Sequence, residues 1–538
     1  MIINLVAQGA EHGSALVAAA PIILLIWLMT KSNPMNSYKA LPLTAGIMYL
    51  LKLTYFNCQP DIVHAAVING LLSAWTPVFI VAGAIMLFHT MEHSGNLNVI
   101  RKWLNGITTN KIAQLMIIGW AFSFLIEGVS GFGTPAALAA PILLGMGFPA
   151  VRVAILCLIM NSVPVSFGAV GTPTWFGLSN VDANIAVIGR NSALIHLAAS
   201  LVIPLIALSF VESWKTIRKN IIFIYCSILA CMIPYVIMAF FSYEFPAIIG
   251  GFTGIVVSVM LAKKSIGLEK TEHKIPANEK VHARQLLYSS FPIWATVLVL
   301  LITRIKQLPF KAMLTSDSHY WSAKLGTLGQ LRISSSLVVS LQDIFGVTKA
   351  DGGTWSHKLL YVPSIIPFVL VSLIAWRLFK MDRGKITLTC SQTYSQVKNA
   401  AIALMGALVL VKLLMSGGEQ ACTKIMGNSM ADIFGSNWKY AASYLGALGS
   451  FFSGSNTISN LTFGGIQEQL AVNIGQPKEL ILSLQSVGGA MGNMVCINNI
   501  IAVCSVLGLK DREGYILKRT VIPMLIYGLI AAIMAIML

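Results

Sequence analysis

The chain of 538 residues is short of charge. Lys and Arg number 37, Asp and Glu 20, and charged residues make up 11% of the whole, against roughly 25% in a soluble globular protein. Hydrophobic residues make up 56%, and mean hydropathy is +0.76. That balance excludes an ordinary soluble enzyme, a disordered chain and a nucleic-acid binder. Motifs of hydrolytic and nucleotide chemistry are also missing. There is no H-E-x-x-H, no G-x-S-x-G and no G-x-x-x-x-G-K-[ST], which leaves a membrane-embedded enzyme only as a remote alternative. The eight cysteines (Cys58, Cys157, Cys226, Cys231, Cys390, Cys422, Cys496 and Cys504) form no Cys/His cluster with metal-ligand spacing and no visible disulfide framework. They are expected to be packing residues, and no metal and no cofactor are expected. The opening MIINLVAQGAEHG has no Lys or Arg, so it lacks the basic start of a secretory signal peptide. The first apolar run is therefore expected to be a retained span.

Long apolar runs are what the chain does have. A spanning helix needs about 20 mainly apolar residues. Candidate runs lie near 14–30, 40–56, 67–90, 184–211, 221–240, 246–262, 291–305, 359–379, 397–415 and 520–538. Two further stretches, 112–183 and 440–508, are apolar but interrupted by Gly, Pro, Asn, Ser and Thr. With the N-terminus placed outside, most of the basic residues fall on inner loops, as the distribution of Lys and Arg in membrane proteins requires. The densest are 263–287, with Lys263, Lys264, Lys270, Lys274, Lys280 and Arg284, and 376–398. The net charge of +17 is then mostly orientation charge, and nucleic acid is not needed as a partner. The long loop 306–357 concentrates further basic residues on the outer side; its composition gives no physical reading of its role.

This orientation makes core 112–183 run from inside to outside and core 440–508 from outside to inside. Each has three spans before it and one after it. The expected organisation is an N-terminal half, 1–220, a linking pair of spans with a basic cytoplasmic loop, 221–287, and a C-terminal half, 288–538, built as the same plan upside down. Inverted repeats with broken helices are a transporter architecture. Local motifs point the same way. Ser130-Gly131-Phe132-Gly133-Thr134 is followed by Gly168-Ala169-Val170-Gly171, and Ser453-Gly454-Ser455-Asn456-Thr457 by Gly489-Ala490-Met491-Gly492. The separations are 38 residues (130 to 168) and 36 residues (453 to 489). The expected fold class is an all-α polytopic membrane protein with two inverted-topology repeats, broken helices or re-entrant hairpins, and about 12–14 membrane segments.

Irregular backbone at membrane depth is tolerated only inside protein or beside water. Gly131, Gly133, Pro135, Pro164, Gly168, Gly171 and Pro173 are expected to break helices in the first core. In the second core the same is expected of Gly454, Asn456, Gly464, Gly465, Gly488, Gly489 and Gly492. Broken helices leave free N–H groups and positive dipole ends that hold a carboxylate without Lys or Arg. Ser130, Thr134, Thr172, Thr457, Ser459 and Asn460 add neutral donors. The alternative is that the small residues only let helices approach closely. Ionisable groups at depth are few. Glu127 must be paired, protonated or hydrated, which suits it either to proton coupling or to capping a broken helix. His196 sits in NSALIHLAAS and is either a proton relay or a hydrogen-bonded packing residue. His89, Glu92 and His93 lie at an inner boundary that solvent explains. Lys52 and Lys412 are expected to snorkel, and Glu468 is open between the second core and water.

The stretches EGVSGFGTPAAL (127–138), NSVPVSFGAVGTPTWFG (161–177), GSFFSGSNTISNLTFG (449–464) and GGAMGNMVCINNIIAV (488–503) resemble the lactate permease family. The resemblance covers most of the chain in length and order and is strongest in the two cores. It implies proton-coupled uptake of L-lactate, D-lactate and glycolate, on a plan similar to that of the ion-transporter superfamily, with a site between hairpin tips. Many relatives in that superfamily are dimers, so a homodimer is implied. Carried over by motif, Glu127, Gly131, Gly133 and Thr134 match the first stretch; Asn161, Gly168 and Gly171 match the second. Gly454, Ser455, Thr457, Ser459 and Asn460 match the third, and Gly489 and Gly492 the fourth. Two positions depart: Asn456 stands where the family usually has Asp, and Asn493 where it usually has Lys. An acid and a base are lost together, leaving no orphan charge if they normally pair. The expected function is a bacterial inner-membrane carrier importing a short 2-hydroxy-monocarboxylate with protons, its substrate held by these residues with Ser130, Asn456 and Asn493. The alternative is a carrier of another small organic anion or a sodium-coupled one. Other expected partners are the lipid bilayer and the co-transported proton.

Overall fold

The computed structural model describes residues 2–31, 35–131, 134–269, 281–304, 308–348, 352–362, 364–509 and 512–538. Among these, eight helices are long and apolar enough to cross a membrane, or nine if Ala150–Met160 and Pro164–Trp175, bent by 57°, make one broken span. Gly13–Met29, Phe291–Leu300 and Ile365–Leu378 are shorter apolar helices. The protein is a multi-pass helical membrane protein. Its eight cysteines are all free thiols. Of the loop 263–287, expected on the inner side, the basic residues Lys270, Lys274 and Lys280 lie outside the described residues.

Two compact units divide the chain, and neither follows a sequence half. The first comprises Met1–Ser94, Pro292–Ser436 and Gly465–Gln476; the second comprises Gly95–Phe291, Asn437–Gly464 and Pro477–Leu538. Each therefore draws on both ends of the sequence.

In the first unit the long helix Arg383–Met415 packs against Ser37–Thr54 and Pro60–Ser73. Gly406 and Gly70 make the approach close: a Cβ on Gly406 would lie 2.5 Å from Pro42 N, and one on Gly70 2.7 Å from Val409 Cα. Without a hydrophobic force between helices in lipid, such backbone-to-backbone packing is a main source of association. Lys52 does not snorkel. It is fully buried, and its Nζ donates to Ser416 O at 2.8 Å and Gln420 O at 3.2 Å. These carbonyls follow the C-terminus of Arg383–Met415, where a cation answers the helix dipole.

The loop 306–357, unassigned in sequence, holds, among the described residues, a four-stranded sheet whose last strand ends at Lys358. Strands β1 (Tyr320–Lys324), β2 (Gln330–Ser334), β3 (Val338–Gln342) and β4 (Trp355–Lys358) form an antiparallel meander in the order β1-β2-β3-β4. Leu341, Ile344 and Val347 pack on Ala65, with Ile62, Ile68 and Leu72 around them. Asn69 Nδ2 ties the loop to helix Pro60–Ser73 through Gly352 O at 2.7 Å and Thr354 O at 2.9 Å. The loop is thus a folded cap on this unit.

The second unit holds both cores. Its spans Lys111–Val129 and Lys478–Cys504 are each 94% buried, whereas Ile221–Ala239 and Glu513–Met537 are 39% buried. The apolar residues of the latter two face outward, as lipid contact requires, and the former two run inside protein. Lys111–Gln114 continues into a π-helical stretch, Leu115–Phe122, and then into Ser123–Val129.

Candidate functional site

The break after Ser123–Val129 forms where Gly131 adopts a left-handed φ of +61°; a side chain there is costly, and glycine is not. The chain resumes as a helix at Thr134–Gly145, with Pro135 in its first turn, where proline starts rather than breaks a helix. Gly133 lies outside the described residues, as does the Thr134 side chain. The second break of this core is more distorted. Ala169, Val170 and Gly171 take left-handed angles in succession, φ 43°, 57° and 71°. Val170 is β-branched and buried, so this conformation is imposed by its surroundings. Local bonds fix it: Thr172 Oγ1 donates to Ala169 O, and Trp175 Nε1 donates to Val170 O at 3.0 Å.

In the second core one break matches expectation. Gly454 ends helix Trp438–Ser453 in the left-handed region, φ +75°, and Asn456 opens helix Asn456–Asn473. The other glycines do not break helices. Gly464 and Gly465 sit within Asn456–Asn473, and Gly488, Gly489 and Gly492 within Lys478–Gly492. The last group serves close approach. Cβ atoms on Gly488 and Gly492 would meet Ser443 O at 1.9 Å and Ala447 O at 2.4 Å, so helix 478–492 lies flush on 438–453. The chain turns at Asn493–Val495, a short 3₁₀ segment, before helix Ile497–Val506.

These breaks enclose a cavity of about 20 Å³, room for about one water molecule. Glu127, Gly131, Val165, Gly168, Ala169 and Pro173 line it from the first core, and Gly454, Ser455, Asn456, Thr457 and Asn493 from the second. Its lining is therefore one carboxylate, two carboxamides, two hydroxyl residues, three apolar side chains and glycine backbone. Pro173 and Ala169 were read in sequence only as parts of the break and Val165 not at all, because apolar residues facing a cavity look like any packing residue. Thr172, Ser459, Asn460, Gly171 and Gly492 do not line it. Ser459 Oγ instead donates to Gly446 O at 2.7 Å, and Asn460 Nδ2 to Pro173 O at 3.0 Å, tying the hairpin to the first-core break. Ser130 Oγ donates back to Ile126 O at 3.0 Å.

Glu127 is buried. Its Oε2 accepts from Asn161 Nδ2 at 3.0 Å. Its Oε1 occupies the space of an absent side chain, 2.3 Å from where a Gly168 Cβ would stand. Asn161 Oδ1 has no donor. A carboxamide in that position donates to the carboxylate as it stands and, turned over, accepts from the carboxylic acid. Asn456 resembles it: Nδ2 donates to Ser486 O at 3.1 Å, and the buried Oδ1 has no partner.

His196 stands away from the cavity lining, in a buried hydroxyl chain. Ser166 Oγ donates to Ser486 O at 3.2 Å and accepts from Ser486 Oγ at 3.1 Å. With its proton so placed, Ser166 accepts from His196 Nε2 at 2.8 Å. Nδ1 is then the acceptor for the Tyr527 hydroxyl. Ser486 O joins this chain to Asn456, so helices 185–200, 478–492 and 513–537 meet at the cavity's edge. Neither Ser166 nor Ser486 was singled out in sequence; serines in small-residue stretches carry no distinguishing signal. Glu468 belongs to the first unit and does not line the cavity.

A family model described as L-lactate permease matches residues 14–538. A protein named "Putative L-lactate permease" from Haemophilus influenzae is 50% identical over 528 residues, 98% of each chain. "Glycolate permease GlcA" from Escherichia coli is 24% identical over 551 residues, 97% of this chain and 95% of that one. "L-lactate permease" from Bacillus subtilis is 24% identical over 550 residues, 94% and 92% of the two chains. Among solved structures, the Alcanivorax borkumensis YdaH transporter matches with a TM-score of 0.44 at 13% identity, over 96% of this chain and 98% of that one.

Proposed function

Because this chain belongs to the L-lactate permease family, we propose that it carries a short 2-hydroxy-monocarboxylate, lactate or glycolate, across a bacterial inner membrane together with a proton. Relatives named for L-lactate and for glycolate support the substrate class. The observation that carries the coupling is Glu127, the one carboxylate among the residues lining the cavity. An anion entering beside an ionised Glu127 would meet a like charge where little water screens it. A protonated Glu127 removes that repulsion, and its proton then travels with the substrate. Asn161 accommodates either state by turning its carboxamide.

The substrate carboxylate is assigned to the break at Gly454, Ser455 and Asn456, where helix 456–473 begins and N–H groups and the dipole favour an anion. Asn456 Oδ1 is the acceptor for the 2-hydroxyl. Lactate is far larger than one water molecule, so binding requires the two broken hairpins to part. The cavity fits an occluded stage of alternating access. We assign the two halves of the chain to inverted repeats on the matched motifs and their spacing. His196, with both nitrogens engaged, is assigned to holding the hairpins together rather than relaying protons.

Uptake of radiolabelled lactate into proteoliposomes under an inward proton gradient tests this. Accumulation is expected, and its absence overturns the substrate assignment. Stimulation by sodium in place of protons overturns the coupling. Glu127→Gln is expected to reduce gradient-driven accumulation to background while substrate exchange at equal pH persists. Full accumulation by this variant overturns the role of Glu127.

A further inference from the structure

We propose that the end of helix Trp75–His93 binds one divalent transition-metal ion of the zinc or nickel type through His89, Glu92 and His93. The run His89-Thr90-Met91-Glu92-His93 places its three ligands at i, i+3 and i+4, which share one helix face. Their ligand atoms lie within 4.8 Å of one another. The two imidazoles are parallel, 7° between planes and 5.4 Å between centroids. His89 is buried, with Nδ1 3.3 Å from Glu92 Oε2, and its Nε2 has no partner.

A solvated His–Glu pair at a membrane boundary accounts for the His89–Glu92 contact. It does not account for His93. Thr389, from helix Arg383–Met415, donates its hydroxyl to Lys385 O at 2.9 Å. It therefore accepts from His93 Nδ1, which is 2.9 Å away. The proton of His93 is fixed on Nδ1, and Nε2 keeps a lone pair. Fixing the tautomer by a bond to the other ring nitrogen is how proteins orient a ligating histidine. The helix is held beside it by Trp376 Nε1, which donates to Thr90 Oγ1 at 2.9 Å.

Two imidazoles and a carboxylate suit zinc, nickel or cobalt and do not suit magnesium or calcium, which prefer all-oxygen shells. One helix supplies three ligands, so water completes the shell. A binding ion replaces the His89–Glu92 contact, drawing both groups to itself. All three residues lie in the first unit, and none lines the cavity around Glu127, so the site is independent of the transport reading.

The test is calorimetric titration of zinc chloride into the tag-free, full-length protein in detergent. One ion per chain with micromolar or tighter affinity is expected, unchanged by a large excess of magnesium. His89→Ala/His93→Ala is expected to lower affinity by about 100-fold or more. Thr389→Val keeps all three ligands and is expected to weaken binding about 10- to 100-fold by releasing the His93 tautomer. Glu92→Gln, at a half-exposed side chain, reads ligation if the histidine variant fails to fold, and is expected to weaken binding also. Zinc affinity unchanged in both Glu92→Gln and Thr389→Val, or displacement of zinc by magnesium, overturns the proposal.

Discussion

The two G-A-x-G stretches have similar surroundings and different backbones. In the first, a Cβ on Gly168 would lie 2.3 Å from Glu127 Oε1; in the second, a Cβ on Gly489 would lie 1.9 Å from Asn456 Oδ1. Glu127 is three residues before Ser130, and Asn456 three residues after Ser453. In each place a glycine makes room for a buried side-chain oxygen from a broken hairpin. Yet the first stretch runs through three left-handed residues, and the second lies inside a regular helix that is packed flush on its neighbour. The first place holds a carboxylate that can change charge; the second holds an amide that cannot. The same packing device thus serves a titratable group on one side of the cavity and a fixed dipole on the other.

The largest effect should come from filling Gly168, with Gly489 as its comparison. Gly168→Ala pushes on the far end of a flexible side chain, so the fold should survive while the carboxylate is displaced. Lactate uptake is expected to fall by about tenfold or more, since misplacing a reacting group by an ångström is costly, with little change in unfolding temperature. Gly489→Ala displaces an oxygen that has no hydrogen bond within the protein to lose and weakens only its contact with the substrate 2-hydroxyl, so its effect on uptake should be several-fold smaller. Equal losses in the two variants, measured side by side in proteoliposomes, would remove the distinction between a titrating and a fixed partner.

How much of this was legible in the sequence depends on what each residue was asked to do. The breaks at Gly131 and Gly454 were readable because a glycine beside hydroxyl residues in an apolar run has few other uses. Gly488, Gly489 and Gly492 were misread as breaks. A glycine that admits a neighbouring backbone and one that adopts a positive φ are the same letter, and only the facing residues Ser443 and Ala447 decide between them. Glu127 stood out because a carboxylate at depth is rare. Its partner Asn161 came only through the family resemblance, and the hydroxyl chain through Ser166 and Ser486 not at all. Lys52 was read as a surface cation because its position near a span end fits snorkelling, whereas its acceptors, Ser416 O and Gln420 O, lie more than 360 residues on in sequence. The sheet in 306–357 was left unread, although Ile333, Val338 and Val339 mark its two central strands and glycines stand in two of its three connections.

A second variant pair asks whether the neutral character of the second side matters. Asn456→Asp places a second carboxylate on the lining of the cavity that holds Glu127. With little water to separate them, the two acids oppose each other and the entering anion. Uptake is expected to fall by about tenfold, a loss comparable to 1.4 kcal/mol. Asn456→Asp/Asn493→Lys adds a cation to the same lining and is expected to recover part of that loss. No recovery in the double variant would mean that residues 456 and 493 do not act on one another, although both line the cavity.

The smallest effects test the backbone half of the comparison. A left-handed alanine is disfavoured by roughly 1–2 kcal/mol, and glycine escapes that cost but gives up more entropy on folding. Ala169→Gly should therefore be neutral to slightly stabilising in thermal unfolding, by about 1 kcal/mol at most. Gly454→Ala adds a side chain at φ +75°, near Cys496 Sγ at 3.3 Å, and should destabilise by about 1 kcal/mol. The signs are opposite because one side of the cavity already carries strain that the other avoids by using glycine. If Ala169→Gly instead destabilises while Gly454→Ala is silent, the left-handed run is held for a packing reason that outweighs its backbone cost. The methyl of Ala169 is the contact to examine then, since a Cβ on Gly131 would stand 3.0 Å from it, and losing it would loosen the one wall of the cavity where both breaks of the first core touch.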